Sequence, residues 1–161
     1  MKKNKKINSP SAVARLYLNR TILSVTITVF AIIISFQAAY LKTNFFLTSQ
    51  LVIAIPLLLT STLSLITAQE HNNVQRWTGF ASTLFILGYA FLSNVIGLLI
   101  AFQISIFLGV AFFFANWVLV LVYSYLKISL KESTFIQRFR KDLFFIGIQI
   151  IFGLFPALGL F

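Results

Sequence analysis

Four long stretches of the chain carry no charged side chain: residues 21–41, 43–69, 77–126 and 143–161. Short polar or basic breaks separate them. A helix that crosses a bilayer needs roughly 20 apolar residues, each adding 1.5 Å. The first, second and fourth stretches each fit one crossing, and the third fits two. The pattern predicts an all-α, polytopic integral membrane protein with five transmembrane helices. The expected spans are about 20–41, 45–68, 75–93, 97–126 and 143–161. Residues 1–10 read as a disordered basic tail and 11–161 as a single membrane domain. No internal repeat is visible.

The third stretch has to turn. One helix from Trp77 to Leu126 would be about 75 Å long, against a hydrocarbon core of roughly 30 Å. Symmetry places the turn near Ala101. Turn chemistry places it at Ser93-Asn94-Val95-Ile96-Gly97, where Ser, Asn and Gly cluster. The turn is expected at 93–97. Ser93, Gly97, Ala101, Ser105 and Gly109 recur every four residues. With that turn, Gly97, Ala101, Ser105 and Gly109 form a ridge of small side chains on the fourth span, of the kind that lets helices approach closely. Its expected partner is another helix of the same chain, with a second copy as the alternative.

Local signals refine the other elements. Pro56 lies near the middle of the second span. It removes a backbone donor and crowds the carbonyl four residues earlier, which marks a kink and a candidate hinge. Thr60, Ser61, Thr62 and Ser64 follow it and offer hydroxyls to freed backbone groups. Residues 128–142 form a basic inner loop or interfacial helix. Within them, Thr134 and Gln137 have capping-box spacing, so the last helix is expected to start near Phe135. Gly153, Pro156 and Gly159 predict that helical order stops near Phe155.

Composition agrees with a lipid environment. The chain is 59% hydrophobic and 10% charged, where soluble domains carry about a quarter charged residues. A single small core cannot hide that much apolar surface. A net charge of +10 would point to nucleic acid in a soluble protein, but its distribution points elsewhere. Lys2, Lys3, Lys5, Lys6, Arg15 and Arg20 precede the first span, Arg76 lies in the second loop, and Lys127, Lys131, Arg138, Arg140 and Lys141 lie in the fourth. Lys42 alone falls in the first loop. With a cytoplasmic N-terminus and an outside C-terminus, twelve of the thirteen basic residues face the cytoplasm, as the positive-inside rule requires. The expected location is the plasma (cytoplasmic) membrane. The first apolar run exceeds a signal-peptide core and reads as an uncleaved anchor.

Candidate chemistry is sparse. The absence of cysteine excludes disulfides and thiol catalysis. No ionisable group falls inside the expected spans, which argues against proton coupling, voltage sensing and ion pumping. The intramembrane polar residues are Gln37, Gln103, Asn116 and Gln149. They read either as interhelical hydrogen-bonding groups, each contact worth roughly 0.6–2 kcal/mol, or as the lining of a polar path. Three acids (Glu70, Glu132, Asp142) and one histidine (His71) supply no recognisable metal set, and no cofactor is expected. Arg138, Arg140 and Lys141 are candidates for contact with lipid phosphate.

Three functions are compatible with these residues. The first is a non-catalytic subunit or assembly factor that works through helix packing in the membrane. The second is a small channel or permease for a neutral or hydrophobic solute. The third is a lipid-headgroup enzyme at the cytoplasmic face, with His71 as base and Glu70 or Asn72 orienting it. Expected partners are membrane lipid, anionic lipid included, and other membrane helices in a homo- or hetero-oligomer. Nucleic acid is not expected.

Overall fold

A computed structural model describes residues 10–70, 74–130 and 134–160. Side chains are described from Tyr17 onward, except at 33–34, 36–43, 69–70 and 74–75. The described backbone is helical, with no strand among the described residues. The elements are α1 (Pro10–Thr43), α2 (Phe45–Glu70), α3 (Val74–Gln103), α4 (Ile106–Ser129) and α5 (Phe135–Gln149), then a π turn (Ile150–Leu154) and a short α6 (Phe155–Ala157). Among the described residues, three helical stretches are long and apolar enough to cross a membrane: Phe45–Ala68, Arg76–Gln103 and Ile106–Ser129. The apolar stretch described within α1, Tyr17–Ile32, is shorter.

Helix ends follow local chemistry. Asn44 separates α1 from α2, and its Oδ1 accepts from the Leu47 amide at 3.1 Å, the bond that a helix N-cap supplies. Thr134 begins α5 in the same way, accepting from the Gln137 amide at a longer 3.4 Å. The helical chain closes after α6. Gly159 adopts φ 69°, its amide donates to Pro156, and the Leu160 amide donates to Phe155. That pair of bonds is a Schellman closure, which favours glycine at the left-handed position.

The expected turn at 93–97 is overturned. Helix α3 runs through Ser93, Asn94 and Gly97 without interruption, and the chain reverses at Ile104-Ser105. Ile104 and Ser105 both donate to the Ile100 carbonyl, and Ser105 is extended (φ −166°, ψ 134°). The spans expected at 75–93 and 97–126 are therefore replaced by Arg76–Gln103 and Ile106–Ser129. The physical reason is burial: Ser93, Asn94 and Gly97 all lie buried within α3. In lipid, small residues serve helix contact at least as often as they serve turns. At 28 residues the α3 stretch is about 42 Å long, so it has to tilt or protrude from a core of roughly 30 Å.

Two compact units divide the chain at Gly88/Tyr89, within α3. In the first, α1 packs on α2, and α2 meets the early part of α3 at Gly88. A Cβ built on Gly88 would lie 2.8 Å from Leu58 Cγ and 3.3 Å from the Ala54 carbonyl. In the second, the end of α3 and the start of α4 form an antiparallel hairpin, with Gly109 against Ala101 and Gly97 against Phe113, and α4 packs on α5, the π turn and α6. Phe113, fully buried, is its hub. Cβ atoms built on Gly97 and on Gly153 would lie 2.5 and 2.6 Å from its ring, so the ring occupies the space both glycines leave.

Exposed surface is apolar on a scale that lipid explains. Phe107, Leu119 and Tyr125 on α4 are 79%, 66% and 71% exposed. Outward-lying hydroxyls bond back to their own helix: Thr21 to Tyr17, Thr28 to Ser24, Ser35 to Ala31 and Thr83 to Gly79. Such back-bonding satisfies these four hydroxyl donors where they face hydrocarbon.

Candidate functional site, a buried amide layer

The small-residue ridge takes a different form from the one expected on a single helix. Gly97 and Ala101 lie on α3, Ser105 is the N-cap of α4, and Gly109 lies one turn into α4. They work across the hairpin. A Cβ on Gly109 would come within 2.5 Å of Ala101 Cβ and 2.9 Å of its amide nitrogen. Gly97 meets Phe113 in the same way. The two helices touch almost backbone to backbone near the turn, then part enough to admit a phenyl ring.

These contacts fix the register. Ala101 pairs with Gly109 and Gly97 with Phe113. One further turn along an antiparallel pair brings Asn94 level with Asn116. On the other side of α4, Ser124 pairs with Arg138 and Phe113 with Gly153, which brings Asn116 level with Gln149. Three carboxamides from three helices therefore occupy one layer. Asn94 and Gln149 are fully buried, and Asn116 is 8% exposed. A Cβ on Gly153 would approach Asn94 Oδ1 to 2.6 Å, which brings the π turn against the same layer.

Of the four polar residues expected inside the membrane, the register thus places two at about one level, Asn116 and Gln149. Gln103 is exposed at the last residue of α3, roughly 14 Å along the axis from Asn94. The Gln37 side chain lies outside the described residues. Asn94 was missed by sequence reasoning because asparagine beside serine and glycine signals a turn. The signal that could have found it is its spacing with Ser93, Gly97 and Ala101 on one helix face.

The first unit handles buried polar groups differently. Asn19 Nδ2 donates to Ser61 Oγ at 2.8 Å, and Ser61 Oγ donates to the Ala81 carbonyl at 2.8 Å. This relay joins α1, α2 and α3 with every step satisfied. Pro56 sits within an α2 that continues as one helix, on its exposed face. The hydroxyls after it bond elsewhere: Ser61 to Ala81, Thr62 to Leu58 and Ser64 to Thr60. In the amide layer, by contrast, neither Nε2 nor Oε1 of Gln149 has a hydrogen-bond partner.

The basic candidates divide by environment. Arg138 is half-buried. Its Nε and Nη2 donate to Ser124 Oγ at 3.3 and 3.1 Å, and its guanidinium lies 4.8 Å from the centre of the Tyr123 ring. Lys127 lies over the same ring at 5.8 Å. Arg140 and Lys141 are exposed. His71 and the Glu70 side chain lie outside the described residues, and no group of three or more possible metal ligands occurs among the described residues. Comparisons with protein-family models, curated proteins and solved structures returned no match. The described geometry therefore offers buried carboxamides within the second unit and an oriented cation in the first half of α5.

Proposed function

We propose that the chain is a non-catalytic integral membrane protein, a subunit or assembly factor that acts by packing against a partner helix within the bilayer. Helix α4 carries this reading. Only 17% of its apolar window is buried, against 44% for α2 and 50% for α3. Its open face presents Ala111 and Ala115, both exposed and one turn apart, among Phe107, Phe114, Val118 and Leu119. A small-xxx-small notch flanked by large side chains admits another transmembrane helix at close range. Gly97 and Gly109 are spent on the chain's own hairpin and leave α4 as the outward contact.

The same proposal includes five crossings, a cytoplasmic N-terminus, an outside C-terminus and residence in the plasma membrane. The distribution of basic residues supports it. The observed turn at Ile104-Ser105 lies in a stretch without charge, so it leaves that distribution unchanged. Arg138, held by Ser124 and Tyr123, supports contact with anionic lipid at the inner face.

The test is intramembrane crosslinking or native-gel migration of Ala111→Leu/Ala115→Leu against a Val118→Leu control. Loss of the complex in the double variant alone is the expected result. Identical migration of all three excludes α4 as the contact. Reporter fusions at the N-terminus and at Lys131 are expected on one face, and opposite faces would overturn the threading.

A further inference from the structure

The end of α4 and the first half of α5 form a corner that is both basic and apolar. Arg138 is its fixed point. Its Nε and Nη2 donate to Ser124 Oγ, its only hydrogen-bond partner among the described residues. Those bonds use one edge of the guanidinium, and the donors of Nη1 and the second N–H of Nη2 lie on the other. The Tyr123 ring lies 4.8 Å from this guanidinium and 5.8 Å from Lys127 Nζ, so two cations share one ring. Arg140 and Lys141 follow, both exposed. Against these four cations the described part of the corner sets one acid, Asp142, which is buried. Beside Arg138 runs an apolar stripe. Phe135, Phe139 and Leu143 recur every four residues, with Ile136 alongside, and all of them are exposed. The two phenyl rings stack at 5.9 Å. At 3.6 residues per turn, Arg138 and Arg140 fall on the two flanks of that stripe.

We propose that this corner is a discrete site for one anionic phospholipid. The phosphate sits on the outer edge of the Arg138 guanidinium, and an acyl chain lies along Phe135, Phe139 and Leu143. Two parallel N–H donors on a planar cation match two phosphate oxygens, a pairing that an ammonium cannot reproduce. Ser124 is a positioning residue. It holds the guanidinium in place before the lipid arrives, which lowers the freedom lost on binding. Charge complementarity selects the headgroup, because a choline or ethanolamine would bring an ammonium among four cations. The stripe selects a lipid over a soluble anion, since inorganic phosphate gains nothing from three exposed apolar side chains. The inference rests on the reading of Arg138 as a contact for anionic lipid and deepens it from bulk attraction to a single geometry. It is independent of association through Ala111 and Ala115.

The experiment uses the full chain in maltoside micelles, with dioleoylphosphatidylglycerol as the probe. The side-chain Nε–H resonance of Arg138, assigned by its loss in Arg138→Lys, is followed by NMR during titration, and binding to the variants is counted by native mass spectrometry. Expected are a saturable shift at one lipid per chain and a much smaller effect of dioleoylphosphatidylcholine. Arg138→Lys, which keeps the charge, should weaken binding about tenfold, and Ser124→Ala about threefold or more, while Arg140→Lys leaves it unchanged. A resonance unmoved by phosphatidylglycerol would overturn the proposal, as would an equal shift with phosphatidylcholine. Inorganic phosphate acting at the same concentration as the lipid would make the site one for a free anion and equally end it. If phosphatidylglycerol binds but Arg138→Lys and Ser124→Ala bind it as wild type does, contact with anionic lipid stands and the single site falls. Micelles define no side, so none of these outcomes depends on the threading, and the wild-type titration stands even where a variant fails to fold.

Discussion

At the scale of single residues, Phe113 holds the second unit together. Its ring fills the space above two glycines on different elements, so Phe113→Ala empties that space from both sides. A loss of about 3–5 kcal/mol is expected, read from unfolding of the purified protein in detergent. The reverse change at Gly97 forces a side chain into the ring. Gly97→Leu is expected to abolish folding of the hairpin, visible as aggregation on size exclusion, rather than to spare the fold and block a partner. In the first unit Ser61→Ala removes the acceptor of Asn19, which is 4% exposed. The stranded donor should lower stability by about 1–3 kcal/mol, whereas Asn19→Leu with Ser61→Ala together should recover part of it.

Among the elements, the α3–α4 hairpin shows what the sequence made legible and what it hid. That residues 77–126 had to turn followed from length alone. Where they turn did not, because Ser93, Asn94 and Gly97 speak two languages. In water they mark turns, but in lipid they mark the face where helices touch, and the burial of all three shows which meaning applies. Ile104-Ser105, the actual reversal, has no strong turn former. Phe45 and Phe135 were legible as helix starts because Asn44 and Thr134 act locally, through one side chain and the amide three residues on. The absence of cysteine gives a clean test of the turn. Single cysteines at Ile104 or Ser105 are expected to react with a membrane-impermeant maleimide, and one at Val95, fully buried, is expected to stay unlabelled. Of the amide layer, only Asn116 and Gln149 were readable as polar residues at membrane depth. Their alignment with Asn94 depends on register, which no single-sequence pattern encodes.

For the molecule as a whole, the strongest asymmetry is between its two kinds of surface. Exposed hydroxyls at Thr21, Thr28, Ser35 and Thr83 return to their own backbones, while Lys127, Arg138, Arg140 and Lys141 lie at the end of α4 and in the first half of α5. Arg138 is set apart from Arg140 by its two bonds to Ser124 and its place over Tyr123. A pre-oriented guanidinium loses less freedom on gripping phosphate. Native mass spectrometry should therefore show Arg138→Ala retaining fewer anionic phospholipids than Arg140→Ala. Equal retention would reduce both to bulk charge.

The two-residue link at Ile104-Ser105 also bears on biogenesis. A reversal this short, flanked by Ile100 and Phe107 and lacking any ionic group, carries almost nothing hydrophilic for the insertion machinery to translocate. The paired segments can slip into the bilayer together as a folded wedge, already clasped at Ala101 and Gly109. Lengthening that link with lysines would force the two arms to enter separately, and the wedge would be lost before the clasp could form.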